Sequence, residues 1–157
     1  MLTITDRVCI KAPVDVISEW LRDMPRHYWE WHPRDHKAFR IISGPVPLAE
    51  GSVARAKETI GAFRLAFTFV ITRVVSNELL EWRATFPYSL IRLHGSFAIK
   101  PLDSNETELI AVTAYGAKTG IFSPVVDWLA DKIVPRDLVA AHMMEEGLNV
   151  KRAVEKE

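Results

Sequence analysis

The sequence predicts an α+β fold in which a curved antiparallel sheet wraps around a long C-terminal helix, with two short helices after the first strand. Three observations carry this. Between residues 53 and 115, strand-like segments follow one another with only short turn signals between them, as in an antiparallel meander. Phe63, Leu65, Phe67, Phe69 and Ile71 alternate along one of those segments and give it a single apolar face. From Arg136 onward the pattern is helical, and Val139, His142, Glu146, Val150 and Ala153 share a sector of roughly 80° at about 100° per residue.

Thr3 to Lys11 reads as the first strand, with Ile4, Val8 and Ile10 among alternating polar positions. Pro13 supplies the fixed φ of a first helical turn and opens a short helix over Val14 to Leu21. The aromatic-rich stretch Pro25 to Pro33 reads as a second short helix ending in a loop, with Trp29 and Trp31 as packing residues. Strands are expected over Ala38–Ser43, Val53–Thr59, Phe63–Val75, Leu79–Phe86, Ile91–Pro101 and Glu108–Tyr115. Gly61, Ser76-Asn77, Pro87-Tyr88-Ser89 and Asp103-Ser104-Asn105 mark turns among them. Ser123-Pro124 suits the N-cap and N1 positions of a helix reaching about Ile133. Pro135 interrupts it before the final helix from Arg136.

With 157 residues, 48% of them hydrophobic, the chain can bury a real core as one domain over 1–157. No repeat or low-complexity tract divides it. Twenty basic residues balance 20 acidic ones, so no basic excess points to a nucleic acid or a membrane surface. Cys9 is the only cysteine, which excludes an internal disulfide and fits a reducing compartment. The first residues lack a basic stretch leading into an apolar one, and Arg64, Arg73 or Lys132 breaks each long apolar run. A cytoplasmic protein is expected.

The candidate site starts from two misplaced charges. His142 and Glu146 stand four apart on the apolar stripe of the final helix, so both project towards the core. Glu58 repeats the oddity on a strand, where Ala54, Ala56, Glu58 and Ile60 form one face and Arg55, Lys57 and Thr59 the other. A buried charge costs several kcal/mol unless it is paired or bound to a metal. His36, in the loop after the aromatic segment, stands where that loop closes one end of a cavity, and His32 competes with it. Together His36, Glu58, His142 and Glu146 form a mixed nitrogen and oxygen ligand set that suits zinc, with iron or manganese as alternatives. The competing reading is a buried hydrogen-bonded pair of Glu58 and His142 with no ion. Glu145 falls off the inner stripe and reads as solvated. Met144 and Leu148 also lie away from it and are candidates for contact with another subunit of a homodimer.

The order of elements resembles the helix-grip fold of the START and birch-pollen-allergen superfamily (the SRPBCC or polyketide cyclase-like group), which encloses a cavity between sheet and helix. A sharper resemblance rests on Tyr28-Trp29-Glu30-Trp31-His32-Pro33-Arg34-Asp35-His36, Glu58-Thr59-Ile60-Gly61 and His142 to Asn149. These look like motifs of the diacetylphloroglucinol and phloretin hydrolase family, zinc-dependent enzymes that hydrolyse a carbon–carbon bond between an acyl group and a phenolic ring. The resemblance implies zinc on His36, Glu58, His142 and Glu146, substrate contact by Tyr28, and proton transfer by His94. Phe39 departs from it, standing where that family carries a polar substrate contact, and the chain is much shorter than family members. Three functions follow as expectations. The first is a zinc-dependent hydrolase of an acylated phenol or related polyketide-like carbonyl compound. The second is a non-enzymatic protein binding a small hydrophobic or aromatic ligand. The third is a metal-free polyketide cyclase or dehydratase using His142 and Glu146 as base and acid.

Overall fold

Seven strands form one antiparallel sheet in the order β1-β7-β6-β5-β4-β3-β2. The structure is a computed structural model and describes residues 1–117, 123–133 and 135–156. β1 (Leu2–Ile10) lies at one edge. The short helices α1 (Val14–Arg22) and α2 (Met24–Trp31) then carry the chain to β2 (His36–Ser43) at the opposite edge. From there β3 (Val53–Ile60), β4 (Phe63–Val75), β5 (Leu79–Ala84), β6 (His94–Pro101) and β7 (Thr107–Tyr115) meander back, and β7 pairs with β1. α3 (Ser123–Ile133) and α4 (Arg136–Val154) complete the chain.

The expected elements are present, with three corrections. His36 is the first residue of β2, not part of a loop. Tyr88–Ile91 forms a short 3-10 helix, so β5 ends at Ala84 and β6 begins only at His94. Of the two tryptophans on α2, Trp31 packs against Trp20 and Phe97, whereas Trp29 stays exposed. The turn glycine Gly61 adopts a positive φ of 60°, a conformation open to glycine at little cost.

The predicted apolar faces do the packing. On β4, Phe69 and Ile71 are buried and Leu65 and Phe67 partly so, whereas Phe63, expected on the same face, is exposed at the start of the strand. On α4, Val139, Met143, Val150 and Val154 are buried, while Met144 and Leu148 lie on the outer side. Each such valine contributes about 1.5–3 kcal/mol by leaving water. α4 packs on β1, where Gly147 faces the Asp6 side chain. A Cβ there would come within 2.5 Å of an Asp6 carboxylate oxygen. At its far end, the Asn149 side-chain amide donates to the Trp31 carbonyl at 3.0 Å and ties α4 to the end of α2. Among the described residues, no helix is long and apolar enough to cross a membrane.

Ile17 on α1 is fully buried in the main core, so Ile17→Ala is expected to cost about 2–5 kcal/mol in urea unfolding. Leu148→Ala, on the exposed side of α4, is expected to change stability by less than about 0.5 kcal/mol.

Candidate functional site

Three elements bring His36, His142 and Glu146 together, and Glu58 lies beside His36 but outside that mutually close set. Antiparallel pairing sets His36 on β2 directly opposite Glu58 on β3. α4 places His142 and Glu146 one turn apart on its buried side. α2 lays Tyr28 over them, its ring stacked on His36 at 3.9 Å and its hydroxyl donating to Glu58 Oε1.

The proton on His36 can be located from its partners. Its Nδ1 lies 2.6 Å from the Tyr28 carbonyl oxygen, which can only accept, so Nδ1 carries a hydrogen. Nε2 then faces Glu146 Oε1 at 2.9 Å and Glu58 Oε1 at 3.9 Å. The shorter contact is poorly aligned, and buried Nε2 makes no hydrogen bond among the described residues. His142 Nε2 is likewise buried and unpaired, 3.6 Å from the same Glu146 oxygen. Donor atoms of His36, His142 and Glu146 all lie within 4.8 Å of one another. Zinc bonds of about 2.0–2.1 Å put tetrahedral donors about 3.3 Å apart, and the observed contacts bracket that separation.

Charges in the cluster respond to one another. Burial raises the Glu58 carboxyl, His36 opposes this, and the net result is an upward move from 4.5 to about 7. Burial lowers His36, but the Glu146 and Glu58 carboxylates outweigh it and leave the imidazole raised. Burial would raise Glu146, yet His36 and His142 hold it below the usual range. His142 is lowered, because burial dominates over attraction to Glu146. Burial and the Glu58 charge push the Tyr28 phenol well above its ordinary value, so it remains a neutral donor.

Donor atoms of His32, Asp35 and His142 also lie within 4.8 Å of one another, and ring orientation favours His36 over His32 beside His142. His32 stacks on His142 at 4.4 Å with 10° between planes. Imidazole lone pairs lie in the ring plane, so two parallel stacked rings cannot aim at one ion. His36 and His142, inclined at 50°, can. His32 instead lies 3.3 Å from Glu145 and 3.5 Å from Asp35, and Arg34 also approaches Glu145. Glu145 is therefore half-exposed yet engaged. Asp35, which the sequence reading missed, faces His142 Nδ1 at 3.7 Å. The spacing of His32, Asp35 and His36 was its available signal, because the turn folds that triplet back onto α4.

His94 does not join the cluster. It is exposed, held through Nδ1 to the Arg92 carbonyl, and its neighbours Leu93 and Phe97 point to the cavity instead. Alternation along β6 turns His94 to the other face of the sheet. The cavity, of about 110 Å³, is walled by Leu65, Phe67, Phe69, Trp82 and Phe97, and Tyr28, Glu58, His142 and Glu146 also line it. Phe39 is not in that wall; it packs against Tyr28 and Phe69.

This architecture is the START-like helix-grip fold. A START superfamily protein from Mycobacterium smegmatis matches with a TM-score of 0.73 and 16% identity, over 98% of this chain and 97% of the other. A norcoclaurine synthase point mutant from Thalictrum flavum, solved with a transition-state analogue, gives 0.73 and 12%, over 99% and 94%. An aromatase/cyclase from Streptomyces gives 0.69 and 17%, over 99% and 92%. No protein-family model matches the chain, and no curated protein does. The likeness to the phloretin hydrolase motifs therefore finds no support in these comparisons, which place the chain among START-type structures.

Glu58 should leave a mark on stability in metal-free protein. Its folded pKa lies above the unfolded value, so its contribution falls as pH rises from about 4.5 to 7. Glu58→Gln is expected to flatten the urea-unfolding free energy against pH across that window, relative to the parent protein.

Proposed function

We propose that the protein binds a small hydrophobic or aromatic carbonyl compound in its cavity and that the His36, Glu58, His142 and Glu146 cluster acts on it. One observation carries this reading: His142 and Glu146 belong both to a cluster of ionisable groups with His36 and to the wall of a largely apolar cavity, where Glu58 joins them. The names of the similar structures, an aromatase/cyclase and a norcoclaurine synthase, support acid–base ring chemistry or simple ligand binding better than hydrolysis. In a metal-free cyclase or dehydratase, Glu146 takes a proton from carbon beside the ligand carbonyl. The His36 imidazole is the neighbouring acid. Tyr28 holds Glu58 in place through its hydroxyl and closes the cluster from above.

A second reading, zinc-dependent hydrolysis of a carbon–carbon bond in an acylated phenol, is favoured by the two unpaired Nε2 atoms. His36, Glu58, His142 and Glu146 would hold the ion, with iron or manganese as alternatives. When bound, it would polarise a carbonyl or activate a water. The chain's own part is orientation: the Tyr28 carbonyl fixes the His36 ring, Asp35 faces the free nitrogen of His142, and the apolar wall limits water.

Metal analysis of protein purified without a metal-binding tag separates the readings, with turnover of acylphenols and polyketide-like ketones measured alongside. His142→Ala and Glu146→Ala are expected to lower any turnover by about 10²-fold or more. One ion per chain, lost in both variants, supports the hydrolase; turnover after chelation supports the cyclase. Saturable binding with neither metal nor turnover leaves a ligand carrier.

A further inference from the structure

The cavity wall is not uniformly apolar. Register aligns Trp82 on β5, Gly95 on β6 and Thr113 on β7 in one cross-strand row. The Trp82 indole lies over the glycine: a Cβ at Gly95 would meet Trp82 Cζ2 at 2.7 Å and Cε2 at 2.8 Å. Cε2 carries the indole nitrogen, so the ring N–H sits in this row, on the side of the sheet that Thr113 shares. Trp82 and Thr113 both line the cavity. Neither side chain makes a hydrogen bond among the described residues, and neither polar atom is sealed from the cavity as those of Trp20 and Trp31 are sealed in the core. The glycine is what permits this. A Cβ at 95 would also come within 2.5 Å of the Val112 carbonyl oxygen, so a larger residue there would meet both the neighbouring strand and the indole.

We infer that Trp82 and Thr113 form a second anchoring point, binding an oxygen on the ligand separate from the one that faces the His–Glu cluster. This inference rests on the reading of the cavity as a ligand site. The indole N–H can only donate, whereas the threonine hydroxyl donates or accepts, so a phenolic hydroxyl or a second carbonyl suits the pair. The remaining wall of Leu65, Phe67, Phe69 and Phe97 offers no polar side-chain atom. Oxygens elsewhere on the ligand would be stranded there. The ligand class is therefore a compound with oxygen at two separated positions: a carbonyl at the cluster and a hydroxyl or carbonyl at the Trp82–Thr113 row.

Calorimetric titration with acetophenone, 3-hydroxyacetophenone, 4-hydroxyacetophenone and 2,4,6-trihydroxyacetophenone tests this on the parent protein, Thr113→Val and Trp82→Phe. The better of the two monohydroxylated ligands is expected to bind about tenfold tighter than acetophenone. That advantage, taken as the ratio to acetophenone in the same variant, should shrink to about twofold or less in Thr113→Val. The trihydroxylated ligand should bind more weakly than the favoured monohydroxylated one. An advantage that survives in both variants, or that never appears, overturns the second anchor while leaving the cavity a ligand site. Failure of all four ligands to bind overturns the anchor together with the reading beneath it.

Discussion

A carboxylate held between two imidazoles on the inner side of a helix, with one of those imidazoles stacked under Tyr28, is the constraint around which this molecule is arranged. Glu146 would be intolerable on the inner face of α4 if nothing answered it, since an unpaired buried charge costs several kcal/mol. Its answers come from distant parts of the sequence. His36 arrives on an edge strand and His142 from one turn back on the same helix, whereas the Glu58 carboxyl beside His36 opposes Glu146 and is itself pushed up by it. Each group alters the proton affinity of the others.

Holding these groups in register requires the scaffold to be specific in unremarkable places. Gly147 faces Asp6 where α4 packs on β1, and Asn149 fastens the helix to the end of α2. Tyr28 then does two things at once. Its carbonyl fixes the His36 ring and its hydroxyl holds Glu58, so a single residue of α2 ties together two strands. The chemistry of the cluster is thus supported by ordinary hydrogen bonds and by packing, with Asp35 and His32 forming an outer layer on His142.

The fold itself is permissive about function. START-type structures as different as an aromatase/cyclase and a norcoclaurine synthase match this chain over nearly its full length at less than 20% identity. A curved sheet closed by a helix makes a cavity whatever the side chains are, so what happens there depends on the few polar groups that face inward. In this chain they are the His–Glu cluster and the Trp82–Thr113 row.

The sequence by itself determined the order of elements, because hydrophobic period and turn chemistry are local: β4 was legible from Phe63 to Val75, and Pro135 announced the break before α4. It also determined that Glu58, His142 and Glu146 face inward, since a residue's face follows from its place in a strand or helix. Where distant segments meet was not legible in this way. Only the tertiary structure showed that His36 begins β2 opposite Glu58, that His32 stacks on His142, and that Asp35 completes its surroundings. His94 shows the same limit from the other side. The 3-10 turn at Tyr88–Ile91 delays the start of β6 and sets which residues of that strand face the cavity, and Leu93 takes the inward place. Periodicity fixes a face within one element; the register and turns between elements decide which faces come together.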